Sequence, residues 1–109
     1  MMGGMPGMYN IHDLLNLVAR QGAEELRLEP GRPPVLVLQG KPRVIDGGVV
    51  TSDNVAELFR GIATEEQNRE LGRCGDVHFT FAAQNSARFN VSATMQKEYL
   101  NVRIKNLHR

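Results

Sequence analysis

Three runs decide the fold: Val77-His-Phe-Thr-Phe81, Ala87-Arg-Phe-Asn-Val-Ser-Ala-Thr94 and Leu100-Asn-Val-Arg-Ile-Lys105. In each, an apolar residue alternates with a polar one. Side chains leave a strand on opposite sides in turn, so period-two alternation predicts three strands, each with one dry and one wet face. Gln84-Asn85-Ser86 and Gln96-Lys97-Glu98 stand where hairpin turns belong. In a meander of these strands, His78, Thr80, Arg88, Asn90, Ser92, Asn101, Arg103 and Lys105 all share the wet face. Val77, Phe79, Phe81, Phe89, Val91, Val102 and Ile104 are expected to be buried on the other.

Working back from that meander, two helices are predicted. Thr51 or Ser52 caps the first, and Val55, Leu58, Phe59 and Ile62 form its apolar stripe. Thr64-Glu-Glu-Gln67 is a capping box, in which the Thr hydroxyl and the Gln amide each take one orphan N–H. Gly72 is the expected stop of the second helix. Earlier still, Leu26 and Leu28 alternate with charged residues. Pro30-Gly-Arg-Pro-Pro34 makes a turn, and Val35-Leu-Val-Leu38 is a short apolar strand. Gly40-Lys41 reverses the chain into Arg43-Val-Ile45, which Gly47-Gly48 closes. At the start, Asn10 caps a helix over residues 11–21, with Ile11, Leu14, Leu15 and Val18 on one face and Gly22 as its left-handed stop. Residues 1–9 carry Gly3, Gly4, Pro6 and Gly7 without periodicity and are expected to be a flexible tail, leaving a single domain over 10–107. The order α-βββ-αα-βββ predicts an α+β fold, a mostly antiparallel six-stranded sheet with helices on one face. Leu14, Val18, Leu58 and Phe59 are expected to face the sheet.

Length and composition narrow the function. At 109 residues the chain supports one core, and 41% hydrophobic with 23% charged residues is an ordinary globular balance. One cysteine, Cys74, allows no internal disulfide and suits a reducing compartment. No apolar run approaches the roughly 20 residues that span a bilayer, and MMGGMPGM lacks the basic flank and apolar stretch of a signal peptide. A cytoplasmic location without membrane insertion is the expectation. No G-x-x-x-x-G-K-[ST] loop occurs, and His12, His78 and His108 lack metal-ligand spacing, so neither a cofactor nor a metal is expected. Cys74 and His78 read as a plain thiol and a strand histidine, since Gly75-Asp76 separates them. No catalytic set emerges, and the chain is expected not to be an enzyme.

Charge is unevenly spread. Residues 1–84 carry 8 basic and 11 acidic side chains, whereas residues 85–109 carry 5 and 1. On the wet face of the last three predicted strands, the charged residues Arg88, Arg103 and Lys105 are all cationic. Two uses fit such a face: solubility, or binding of an anionic partner in which Arg88 and Arg103 converge on one phosphate or carboxylate. A net charge of +1, 6% aromatic residues and no stacking ring on that face speak against nucleic acid.

Several segments taken in order resemble a known family. They are Gln21-Gly-Ala-Glu-Glu-Leu-Arg-Leu28, Gly31 with Pro33-Pro34, Gly40, Gly75-Asp-Val-His-Phe-Thr-Phe81, Ala87-Arg-Phe-Asn-Val91 and Val102-Arg-Ile104. From about Tyr9 to Leu107 the chain resembles the N-terminal domain of the PilT-type pilus retraction and type II secretion motor ATPases. That resemblance implies a PAS-like domain, which in the family precedes a RecA-like ATPase domain, joins a hexameric ring and packs on a neighbouring subunit. Family arginines on these strands approach the nucleotide. Arg88 and Arg103 keep the matching positions, while Asn90 stands where the family has a second arginine, and Glu25-Leu-Arg-Leu28 replaces Asp-Leu-His-Leu. The chain stops at Arg109, where the family continues into the ATPase domain, so an excised domain or a free-standing relative is expected. The expected function is a non-catalytic module, docking on a pilus or secretion motor ATPase or a related component through Arg88, Asn90, Arg103 and Lys105, with self-association as a second kind of contact. The alternative is a PAS-like sensor of a small ligand.

Overall fold

A computed structural model describes residues 9–83 and 86–107. The elements run α1 (Ile11–Gln21), β1 (Glu25–Leu28), β2 (Val35–Leu38), β3 (Lys41–Val44), α2 (Ser52–Arg60), α3 (Glu65–Cys74), β4 (Asp76–Ala82), β5 (Arg88–Gln96) and β6 (Tyr99–Asn106). Every neighbouring pair of strands is antiparallel, and the sheet order is β3-β2-β1-β6-β5-β4. Two three-stranded meanders are thus joined where the first strand meets the last.

Local chemistry explains where the helices begin and end. The Asn10 side chain accepts the N–H groups of His12 and Asp13 at 2.8 and 3.2 Å and starts α1. Gly22, at φ 67°, ends it. Thr51 caps α2, and Asn54 reaches back to the Thr51 N–H at 3.0 Å, a reciprocal pair built on Asn rather than Glu or Gln. The Thr64–Gln67 box opens α3 as expected. The stop of α3, in contrast, is Gly75 at φ 83° and not Gly72. Its N–H returns to the Leu71 carbonyl at 2.9 Å, and Gly72 lies within the last turns. The β2–β3 reversal falls one residue earlier than expected, on Gln39 and Gly40, both at positive φ, because Leu38 pairs with Lys41. The β5–β6 turn is Lys97-Glu98 between the paired Gln96 and Tyr99. Gln84 and Asn85 of the other hairpin lie outside the described residues.

The helices cover one face of the sheet. Leu14, Val18, Leu58 and Phe59 pack there with Leu26, Leu28, Val77, Phe89, Val91, Val102 and Ile104, all buried. Phe79 and Phe81, expected inside, are only half-buried. Both stand on β4, the last strand of the sheet, so no further strand covers their outer flank. Phe79 leans on Phe59, with ring centroids 6.0 Å apart, and Phe81 on His12 at 6.4 Å. The alternation that predicts strands says nothing about which strand lies at an edge.

Tyr9, the last residue of the predicted tail, is half-buried. Its hydroxyl donates to the Gly48 carbonyl at 2.7 Å. A Cβ on Gly47 would come within 2.7 Å of that hydroxyl, so the loop after β3 needs glycine to receive the ring. Residues 1–8 lie outside the described residues.

Candidate interaction surface

The sheet face turned away from the helices is built in cross-strand rows, because antiparallel partners point the same way. One row runs Arg27–Arg103–Ser92–His78, and the next runs Glu25–Lys105–Asn90–Thr80. Two hydrogen bonds tie the rows across β4 and β5. The His78 ring Nδ1 and Ser92 Oγ lie 3.0 Å apart, and the Thr80 hydroxyl donates to Asn90 Oδ1 at 3.1 Å. On β1, Arg27 Nε donates to Glu25, whose carboxylate is nearly buried beside it. That pairing moderates the repulsion between Arg27 and Arg103, which face each other in register.

Asn90, Arg103 and Lys105 line one hollow of about 760 Å³ on this face, together with Glu29, His78 and Ser92. The fourth expected residue, Arg88, stands apart. Arg103 pairs with Ser92, and Arg88 is four positions further along β5, about 13 Å at the usual strand rise. Arg88 lies instead opposite Ala82, near the β4 edge. The register therefore brings Asn90, Arg103 and Lys105 together and does not make Arg88 and Arg103 a two-armed anion clamp.

Nor is the face purely cationic. Pairing of β1 with β6 adds Glu25, Arg27 and Glu29 to it, and β4 adds Asp76, which lies 3.8 Å from His78 Nε2. The alternation of Glu25-Leu-Arg-Leu28 carries the signal that Glu25 and Arg27 share a face. Their position beside Arg103 and Lys105 depends on a pairing between residues some 80 apart. The surface is a mosaic of guanidinium, ammonium, amide and hydroxyl groups interleaved with carboxylates. It suits a polar, partly acidic protein surface better than a compact polyanion. Among the described residues, no group of three or more His, Cys, Asp or Glu side chains is placed to hold a metal ion. No described helix is long and apolar enough to cross a membrane.

Comparison with known proteins gives this geometry a lineage. No protein-family model matches the chain. It is 31% identical over 87 residues to the type IV pilus retraction ATPase PilT of Pseudomonas aeruginosa, covering 80% of the chain and 25% of that protein. It is 23% identical over 94 residues to the type IV pilus ATPase PilU of the same organism, covering 86% of the chain and 25% of PilU. The chain thus spans about a quarter of the length of these relatives. Among solved structures, the pilus retraction motor PilT with bound ADP superposes with a TM-score of 0.85 at 20% identity, over 92% of this chain and 29% of that one. The Legionella pneumophila ATPase DotB superposes at 0.77 and 14% identity, over 94% and 30%. The six-stranded antiparallel sheet and three helices are shared with that part of the motors. By sequence and by fold, the chain belongs with the N-terminal domain of the PilT-type motor ATPase family.

Proposed function

We propose that the chain acts as a non-catalytic interaction module of a type IV pilus or secretion machine, docking through the open sheet face on an acidic surface of a motor ATPase or related component. The observation that carries this reading is the hollow in which Asn90, Arg103 and Lys105 stand together on a face that no described helix covers. A domain whose relatives are motor ATPases, and whose polar groups are concentrated on one open face, has the chemistry for reversible contact with a charged neighbour. Twitching motility and a place in the cytoplasm belong to the same reading. The sensor alternative would hold its ligand between helices and sheet, and there Val18, Leu58, Phe59, Val91 and Ile104 pack into one core.

The test is a titration of the immobilised chain with a purified PilT-type motor ATPase at increasing salt. Binding should weaken as salt rises, since exposed charges are screened beyond about 10 Å at 0.1 M. The double variant Arg103→Glu, Lys105→Glu should lose about tenfold or more in affinity, chiefly by slower association, with an unchanged melting temperature. Equal affinity in the variant would remove this face from the reading.

A further inference from the structure

The β4 edge carries information of its own. Gly75 accepts from the Met95 N–H and Ala83 donates to the Ala87 carbonyl, both at 2.8 Å. These two pairs share the register of the β4–β5 ladder. In an antiparallel ladder, hydrogen-bonded and non-bonded pairs alternate. Val77, Phe79 and Phe81 therefore spend their backbone groups on β5. The N–H and C=O groups of Asp76, His78, Thr80 and Ala82 point away from the sheet. This outward row is seven residues long from end to end and contains no Pro, Lys or Arg, the usual protections of a free edge.

We propose that β4 pairs with β4 of a second copy of this chain, antiparallel and centred on Phe79, so that two sheets become one across a two-fold axis. This does not rest on the docking reading: it uses the backbone edge of β4, which borders the open face. The strand is complementary to itself in that register. Asp76 meets Ala82 of the second copy, His78 meets Thr80, and both pairs use outward-pointing backbone groups. Val77 meets Phe81, and the two Phe79 residues face each other in the closer, non-bonded position, where side-chain contact is best. The apolar residues of both copies fall on the helix side and the polar ones on the open side, so the sheet keeps its two characters across the junction. The half-exposed flanks of Phe79 and Phe81 become covered, an aromatic contact of the kind that anchors interfaces.

Charge supports the same register. Arg88 lies opposite Ala82 on β5. Asp76 of the second copy would face Ala82 from the other side, two strand spacings from Arg88, about 10 Å between backbones. The small Ala82 leaves the arginine free to lie across it and reach the carboxylate. Two-fold symmetry makes this contact twice. Arg88, which the fold sets apart from Arg103, gains a partner in this arrangement: the ion pairs among the described residues do not include it.

Sedimentation equilibrium of the 109-residue chain tests the proposal. A monomer–dimer equilibrium is expected. Thr80→Pro removes one outward N–H and leaves the β4–β5 ladder intact, since Thr80 bonds away from β5. It should dissociate the dimer, halving the mass, with an unchanged circular dichroism spectrum. Asp76→Arg alone and Arg88→Asp alone should each raise the dissociation constant about tenfold, and the two together should restore it. These charge variants read the register even where Thr80→Pro disturbs folding. A monomer at every concentration overturns the proposal. So does a dimer that a folded Thr80→Pro leaves intact, or a double variant that associates no better than the single ones.

Discussion

The two edges of the sheet are built on opposite principles. β3 is four residues long and fully exposed, and reads Lys41-Pro42-Arg43-Val44. Leu38 and Lys41 flank a two-residue turn, so Pro42 sits at a position that does not bond β2, and its missing N–H is on the outward side. Two cations and one proline close that edge to any incoming strand. β4 is nearly twice as long, keeps its outward N–H groups, and presents two half-covered phenylalanines. Within one sheet, the first meander ends in a strand that repels neighbours and the second in a strand that can accept one. The difference identifies β3 as a boundary and β4 as a junction.

The largest effect that can sharpen this contrast is in packing. Phe89 is fully buried on β5, and Phe89→Ala should cost about 3–5 kcal/mol in denaturant unfolding. Phe81→Ala, on the neighbouring edge strand, should cost about half that in the monomer, because part of its ring is already in water. Equal losses would mean that β4 is as enclosed as β5. The edge protection itself is tested by Pro42→Thr, which restores an outward N–H to β3. New self-association in sedimentation runs is expected, and a monomeric variant with Thr80→Pro in the same chain would show that Lys41 and Arg43 suffice.

The approach to β4 gives a smaller pair of effects. Gly75→Ala should destabilise by about 1 kcal/mol or more, since alanine resists the left-handed conformation there. Gly72→Ala should stabilise by about 0.5–1 kcal/mol, because the residue is helical and a Cβ meets nothing within 4 Å. Thermal melts separate the two, and the opposite order would place the end of α3 at Gly72.

The smallest effect concerns the loop after β3. Burial, and then the nearby Asp46 charge, raise the pKa of Tyr9 above its ordinary value of 10.0. A group whose folded pKa is raised stabilises the fold while protonated in both states, and the contribution fades as pH climbs through the folded value. Melting temperature should therefore fall a little more steeply in alkali for the wild type than for Tyr9→Phe. Parallel curves would show that burial and Asp46 do not hold the Tyr9 pKa above its unfolded value.

These contrasts also show what a sequence makes legible. Period-two alternation identifies β4, β5 and β6 and sorts their side chains into two faces, because that information is local. Asn10, Gly22 and the Thr64–Gln67 box mark helix ends for the same reason. What alternation does not contain is adjacency. Nothing near Glu25 or Arg27 announces that β1 lies against β6, so the acidic members of the open face are not legible in the sequence. The offset between Arg88 and Arg103 likewise depends on register, which the length of the Lys97-Glu98 turn sets. Phe79 and Phe81 carry the same alternating pattern as Phe89, and only the position of β4 at the end of the sheet makes them different.

The seam between the two meanders has a consequence for how the chain acquires its structure. Asn106 closes it: its backbone N–H donates to the Glu24 carbonyl at 2.9 Å and its buried side-chain amide donates to the Ala23 carbonyl at 3.0 Å. The sixth strand in chain order is thus a central strand of the sheet, and the first strand must wait for it with one side unsatisfied. Closing so long a loop carries an entropic cost that no local contact offsets, which places the joining of the halves late and makes it slow. Until β6 emerges, the β1–β3 hairpins and the α2–α3 segment can each form only transiently. Cooperativity in this small domain is imposed by chain order, with Asn106 at the end of β6 acting as the clasp.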